Sequence, residues 1–461
     1  NPKWLPGAQE ESPETALLKA KKVREDQKFP GDPFLLSLGL DSYYSKAQRD
    51  AIHACLCAPN GHTLLLNLPT GSGKSLCAFV PALLPIPGEY EILGVAPIIV
   101  PTVSLALDLA KKLEEWVGHP VVYRPDAPTE QIEEMKGRCE NGTQGPLILS
   151  PEAFVGKTFQ PSLQEAAKKA YLKYLIVDEA HMVLNWGDEF RPEFQRLAPI
   201  RKKLLELSKK SPFKTILMSA TLTEYHIHWL KKMFSEGDRW FMVHAVRLRP
   251  EPIYWQASAN VEEERQSWIL ESLFHLPRPI ILYCTQQETC NKWFDILRRN
   301  GFQRIGKIHG KTKEKERLEE MEKWNQDEID LMVATSAFGL GVDKPNVRGV
   351  VHAELPESMD RFYQDVGRGG RDGCPTLSLL VYHKKDWEIV HYLTPSLIGM
   401  DKGLDRWKSL FEKKKEVKGK ANIYLLNLDT EPKLDMGNKQ NRLWNLRTLL
   451  LIERAKMISL T

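Results

Sequence analysis

The segment Leu66-Asn67-Leu68-Pro69-Thr70-Gly71-Ser72-Gly73-Lys74-Ser75 restricts this chain to few architectures. It follows the apolar run Thr63-Leu64-Leu65-Leu66, which reads as a strand. It precedes Leu76-Cys77-Ala78-Phe79-Val80, which can open a helix. A strand, a glycine-rich turn and a helix N-terminus make a phosphate cradle. Gly71 and Gly73 let the backbone curl so that successive N–H groups face an anion, and the helix dipole adds positive charge there. In such a cradle Lys74 reaches the β and γ phosphates and the Ser75 hydroxyl holds Mg²⁺. Thr70, Gly71, Ser72, Gly73, Lys74 and Ser75 are therefore the candidate nucleotide-binding residues. The usual pattern begins with Gly where this chain has Leu68. Alone, the turn also fits a surface loop of small residues, so the rest of the chain must decide.

Downstream, short apolar runs at residues 94–101, 146–150, 174–177 and 214–218 alternate with helical stretches at 104–117, 161–172 and 192–209. That alternation predicts a buried parallel sheet with helices on both faces. Asp178-Glu179-Ala180-His181 follows the strand Tyr174-Leu175-Ile176-Val177 directly. It places two carboxylates at the C-terminal end of a parallel strand, where such sheets bind ligands. Asp178 is the expected second Mg²⁺ ligand beside Ser75, and Glu179 would orient or deprotonate an attacking water. Ser219-Ala220-Thr221 closes the next strand and reads either as a coupling element or as plain strand termination. Gln48, upstream of the phosphate loop, either reads adenine with its amide or faces solvent on a helix.

A second alternating region begins near Arg278, with strand runs at 279–284, 304–308, 330–334, 347–352 and 377–382 and no second phosphate loop. It carries Gln364-Asp365-Val366-Gly367-Arg368-Gly369-Gly370-Arg371 instead. Two arginines three residues apart share one face of a turn and can reach a γ-phosphate held by the first region. Residues 239–255 read as a linker with a strand entering the second sheet. The segment 401–420 concentrates eight Lys or Arg against four acids, which suits a solvated helix or contact with a phosphate backbone. The net charge is only +4, so any nucleic-acid surface is local. No apolar run is long enough for a membrane span. Seven cysteines, mostly in apolar contexts, suggest a reduced intracellular protein over a disulfide scaffold. The chain starts at Asn1 without a signal-peptide pattern and reads as a trimmed form or a piece of a longer protein.

With these residues in place, the chain resembles the superfamily-two helicases, and among them the RecQ-like DNA helicases, over roughly residues 38–383. The most specific stretch is Asp178-Glu179-Ala180-His181 followed by Trp186-Gly187-Asp188-Glu189-Phe190-Arg191-Pro192-Glu193-Phe194. It resembles the family's DEAH box and aromatic-rich loop. Residues 338–345 and 364–373 resemble its motifs V and VI. The resemblance implies an α/β fold of two RecA-like parallel-sheet domains in tandem with a small C-terminal segment. The expected divisions are an N-terminal extension (1–40), a first domain (41–240), a second domain (241–397) and an accessory segment (398–461), the last the possible start of a winged-helix-like region. It also implies ATP and Mg²⁺ as cofactors and Lys74, Asp178, Glu179, Gln364, Arg368 and Arg371 as catalytic groups, with Arg371 as arginine finger. Gln48 and Asp343 are implied at the nucleotide, and Trp186, Phe190 and Arg191 at DNA, with Phe194 more suited to the core. The implied activity is ATP-driven 3′-to-5′ movement on single-stranded DNA and unwinding of forked DNA. A DNA-stimulated ATPase or translocase subunit without unwinding is the alternative, and an RNA helicase or nucleic-acid-sensing subunit is the third reading. Location would be cytoplasmic at a bacterial nucleoid, or nuclear in a eukaryote. Many relatives continue into a four-cysteine zinc domain. The last cysteine here is Cys374, so no zinc is expected. Protein partners would approach through the C-terminal segment.

Aromatic faces stack on bases for about 1–3 kcal/mol each. Trp186→Ala is therefore expected to keep basal ATP hydrolysis and thermal stability while losing most stimulation by single-stranded DNA. ATPase titrations with oligonucleotide, beside a melting curve, check this. Normal stimulation in a normally folded variant contradicts it.

Overall fold

The computed structural model describes residues 22–24, 28–86, 88, 92–184, 192–245, 248–339, 344–393, 398–417, 419, 422–433, 441–455 and 457–460. The aromatic-rich loop with Trp186, Phe190 and Arg191, the Asp343 position, and most of the N-terminal extension lie outside the described residues.

Two six-stranded sheets organise the described chain. The first contains β1 (Thr63–Asn67), β2 (Val95–Ile99), β3 (Gly145–Leu149), β4 (Tyr174–Val177), β5 (Lys214–Ser219) and β6 (Trp240–His244), in the order β3-β2-β4-β5-β1-β6. All its pairings are parallel. β1 to β4 are buried along their whole length, which explains their unbroken apolar runs. The order sets β4, β5 and β1 side by side. Asp178, Ser219 and the phosphate loop thus leave the sheet at adjacent C-terminal ends. Register fixes their relative height, since Asn67 pairs with Ser219 and Val177 with Leu217.

The second sheet contains β7 (Pro252–Ala259), β8 (Ile280–Tyr283), β9 (Ile305–Ile308), β10 (Leu331–Ala334), β11 (Gly349–His352) and β12 (Thr376–His383), again wholly parallel, in the order β9-β10-β8-β11-β12-β7. The stretch read as a linker is thus largely sheet. Its first part, β6, pairs with β1 at the edge of the first sheet, and its last part, β7, pairs with β12 in the second. Exposed Phe241 and Met242 on β6 interrupt the alternation that would mark a half-buried strand. That pattern hid β6 from periodicity.

Each sheet packs helices on both faces through two apolar clusters. Helix α1 (Lys46–Cys57) covers the phosphate-loop helix α2 (Lys74–Leu83). Leu68, where the usual motif has Gly, is fully buried in the cluster beneath them, so its side chain stabilises the loop's base. Phe194 on α3 (Pro192–Leu207) is likewise fully buried, as the sequence suggested. Helix α4 (Glu224–Phe234) follows β5 behind a Thr223–His226 capping box. The accessory segment consists of α6 (Met400–Glu412), a two-stranded antiparallel ribbon (Lys415–Glu416 with Tyr424–Leu425) and α7 (Asn441–Arg454), with α5 (Met359–Val366) lying earlier in the second domain. Helix α7 packs on α6 and returns to the first domain, where the Arg454 guanidinium lies 5.4 Å over the Trp229 ring of α4. Within the basic run, Arg406 is not solvated. It is 1% exposed and donates to Asn441 and Asn445. Lys402, Lys408, Lys413 and Lys415 are exposed. No described helix is long and apolar enough to cross a membrane, and all seven cysteines are free thiols.

Removing the Phe194 ring leaves a large void in the second cluster. Phe194→Ala is expected to cost about 3–5 kcal/mol of stability. Denaturant unfolding of the variant measures it, and a loss below about 1 kcal/mol contradicts the core assignment.

Candidate active site

The phosphate loop has the conformation its glycines predict. Gly71 and Gly73 take φ of +71° and +74°, and Gly73 caps α2 in the left-handed region. A Cβ on Gly73 would lie 2.3 Å from Gln48 Nε2, so a side chain there would displace the Gln48 amide and strain the backbone. Gln48 is not on a solvent face. It is 2% exposed; its Nε2 donates to the Gly73 carbonyl at 2.8 Å and its Oε1 accepts from the Tyr44 N–H at 2.7 Å. Its amide ties α1 to the phosphate loop, and contact with a base would require it to release Gly73. The Ser45 hydroxyl caps α1 by accepting the Gln48 N–H at 3.1 Å.

Asp178 and Glu179 stand where β4 ends. Glu179 donates its N–H to Asp178 Oδ1 at 2.9 Å and has φ of +47°, a region a residue with a Cβ rarely adopts. Such strain costs on the order of 1–3 kcal/mol and gathers at functional sites. Burial and the adjacent Glu179 charge push the Asp178 carboxyl up, to about 6. Burial acts on Glu179 in the same sense, but Lys74 and His181 outweigh it and hold Glu179 low. Glu179 Oε2 is buried without a hydrogen-bond partner, although His181 Nδ1 stands 3.3 Å away. Two half-buried carboxylates beside one lysine form a donor set short of positive charge. Mg²⁺, held by one or two carboxylates, a hydroxyl and substrate phosphates, fits Asp178 and Ser75.

The site continues across the gap between the domains. His181 Nδ1 lies 3.0 Å from Ser219 Oγ, which donates to the Thr221 carbonyl at 3.2 Å. The Thr221 hydroxyl accepts from Gln364 Nε2 on α5 at 2.9 Å. A run of polar contacts thus links Glu179 in the first domain to Gln364 in the second. Beyond ending a strand, the Ser219–Thr221 segment bridges His181 and Gln364 through hydrogen bonds. At the same junction, a Cβ on Gly367 would lie 2.4 Å from Thr70 Oγ1, so the two loops nearly touch. Arg368 is 9% exposed with Nε lacking a hydrogen-bond partner. Arg371 is partly exposed, and its Nε donates to the Gly367 carbonyl at 3.4 Å. The structure therefore gathers Gln48, Thr70, Lys74, Asp178, Glu179, Gln364 and the arginine turn around one cleft.

Two residues of this cleft escaped sequence reasoning. Arg249 donates to the carbonyls of Gly367 at 2.7 Å and Gly370 at 2.8 Å, and pairs with fully buried Glu251 at 3.2 Å. Their one signal is a charged pair spaced by proline immediately before β7.

Comparison with known proteins agrees with this geometry. Residues 45–228 match the DEAD/DEAH box helicase family, and residues 265–373 match the helicase conserved C-terminal domain. The BLM RecQ-like DNA helicase of Xenopus laevis is 30% identical over 354 residues, which is 74% of this chain and 24% of BLM. The ATP-dependent DNA helicase RecS of Bacillus subtilis is 28% identical over 358 residues, 75% of this chain and 65% of RecS. The chain is similar to the RecQ-like helicases of superfamily two over most of its length. It spans between about a quarter and two-thirds of these relatives, at 24% and 65%. As a RecQ-like chain it also shares its fold with more distant solved helicases. The DUF1998 helicase MrfA bound to DNA and AMPPNP aligns with a TM-score of 0.64 at 20% identity, covering 80% of this chain and 53% of MrfA. Dbp5 of S. cerevisiae, bound to RNA and ADP BeF3, aligns at 0.59 and 17% identity, covering 78% of this chain and 90% of Dbp5.

The Thr70–Gly367 apposition leaves no room for a methyl group. Gly367→Ala is expected to keep the melting temperature and nucleotide affinity but to lower ATP turnover by roughly a hundredfold, as ångström-scale misplacement does. Steady-state ATPase assays read this, and a turnover within a factor of two of the parent contradicts the closed apposition.

Proposed function

We propose that the chain is an ATP-dependent motor on DNA, a helicase of RecQ type. The observation that carries the reading is the polar run from Glu179 through His181, Ser219 and Thr221 to Gln364, because it joins a hydrolytic carboxylate to the opposite domain. The phosphate loop cradles the β and γ phosphates with its N–H groups, and Lys74 neutralises them. Mg²⁺ bound by Ser75 and Asp178 would draw charge from the phosphate oxygens. Glu179 aligns water for in-line attack on the γ phosphorus. Arg371, with Arg368 beside it, stabilises the charge that builds on the transferred group, and Asp343 is our further candidate for a nucleotide contact.

DNA as the track is supported by the names of the relatives, BLM and RecS both being DNA helicases. Trp186, Phe190 and Arg191 are our candidates for stacking and phosphate contact, since their loop joins the His181 turn to α3. Movement is 3′-to-5′ on single strands, as the family implies, and forked DNA is the substrate. The second reading is DNA-stimulated ATP hydrolysis and translocation without unwinding.

Lys74→Ala is expected to abolish ATP hydrolysis with the fold intact, and Glu179→Gln to bind ATP but turn it over at least a hundredfold more slowly. A forked-duplex assay with DNA and RNA versions then assigns the motor. Strand separation of DNA alone supports the helicase. DNA-stimulated ATPase without separation supports the translocase. Hydrolysis by Lys74→Ala at the parent rate would overturn both.

A further inference from the structure

A short strap before the first domain lies across the arginine turn. Val23 and Arg24 both donate their N–H groups to the Gly373 carbonyl, at 3.0 and 3.2 Å. Arg24 Nη2 donates to the Arg371 carbonyl at 2.8 Å. Arg24 Nη1 pairs with Glu251 at 2.9 Å, and Glu251 is wholly enclosed. Since Glu251 also pairs with Arg249, one buried carboxylate organises two guanidinium forks. Between them the forks engage the carbonyls of Gly367, Gly370 and Arg371. The turn's glycines admit this approach. Gly373 has φ of +84°, and a Cβ on it would lie 2.7 Å from the Arg24 carbonyl.

The Arg24 side chain holds the Arg371 carbonyl, part of the peptide unit that leaves the Arg371 Cα, and its backbone N–H holds the Gly373 carbonyl two residues further on. Arg24 also lies 6.0 Å over the ring of Tyr44, whose N–H holds Gln48. One guanidinium thereby touches the second domain at the arginine turn and the first domain beside the phosphate loop. A planar fork with fixed N–H directions suits this double contact, and an ammonium does not. An arginine reaching a γ-phosphate contributes only if its backbone is held to a fraction of an ångström.

We propose that Arg24 is a positioning residue for Arg371. It holds the turn from outside both domains so that the Arg371 side chain meets the γ-phosphate, which rests on the function proposed above. Arg24 touches no reacting atom, so its loss affects turnover and leaves nucleotide binding alone.

The test is a double-mutant cycle in the full chain, with steady-state ATPase on single-stranded DNA and amide exchange on the nucleotide-free protein. Arg24→Ala is expected to lower kcat by about ten- to a hundredfold with KM for ATP within about twofold. Arg371→Ala is expected to lower kcat by about a thousandfold, and the double variant to fall no further. Amides 367–376 should exchange several-fold faster in Arg24→Ala, while those of β1 stay unchanged. Arg24→Lys keeps the charge toward Glu251 without the second arm of the fork. It should fold and lose part of kcat, which guards against misfolding of the alanine variant. Unchanged kcat and exchange in both Arg24 variants overturn the proposal. So does a loss that multiplies fully with Arg371→Ala, since Arg24 would then act elsewhere. Full activity of Arg371→Ala alone refutes the finger, and the positioning role with it, while the Lys74 and Glu179 variants report separately on the ATP site.

Discussion

The hydrogen bond from the Gln364 amide to the Thr221 hydroxyl is where the two halves of this molecule become one site. Each parallel sheet could be stable alone, with its own apolar clusters on both faces. Neither carries a complete hydrolytic centre. The first supplies the cradle and the carboxylates, and the second supplies arginines with no phosphate to meet. The bond is neutral and worth only about 1 kcal/mol net. Its importance is positional, because Thr221 is anchored through Ser219 to His181, and His181 faces Glu179. A displacement of α5 would thereby be felt at Glu179, the residue we propose to align the attacking water.

That geometry depends on strand order more than on any one motif. β4, β5 and β1 are neighbours, so segments more than a hundred residues apart in sequence emerge at one edge. A parallel sheet directs all its C-terminal ends the same way, which is why short apolar runs followed by polar residues were readable as site elements. The phosphate loop and Asp178-Glu179 were legible for this reason, and the paired arginines by their spacing in a glycine-rich turn. Three further features were not. Gln48 was ambiguous, because a glutamine on an amphipathic helix gives no sign of whether its amide meets solvent or a carbonyl 25 residues on. β6 was read as linker because its exposed apolar residues mimic neither a core nor an amphipathic strand. Arg249 and Glu251 were passed over because charge beside a linker usually means solvent, whereas here the pair is buried against carbonyls that face the inside of a turn.

The arginine turn illustrates a wider constraint. A glycine-rich turn reaches closely to its partners because it lacks side chains, and for the same reason it has little to pack with. Gly369 and Gly370 would place a Cβ 2.4 Å from Thr376 Oγ1 and 2.5 Å from the Cys374 carbonyl, so the backbone is already crowded. What remains for stabilisation is the carbonyl row. Guanidinium forks suit it, since one group satisfies two acceptors at fixed angles. The buried Glu251 carboxylate then offsets the charge that those forks bring into the interior. Burying an arginine without such a partner costs several kcal/mol, so the network stands or falls together.

The same magnitudes bear on how a motor could use this cleft. Opening one base pair step of DNA takes about 1.4 kcal/mol on average. Among the described residues, the contacts between the phosphate-loop side and α5 with its arginine turn include a neutral hydrogen bond, worth about 1 kcal/mol net, and a close loop apposition. Contacts of that strength cannot drive strand separation by themselves. Charge is what changes the balance. A triphosphate between Lys74 and the Arg368–Arg371 pair would add several charge-assisted contacts, each about twice as strong as a neutral one. Loss of the γ-phosphate would remove those that reach the second domain. Closure is then strong only while the substrate is intact, and the weak intrinsic contacts serve to set the register to which the domains return.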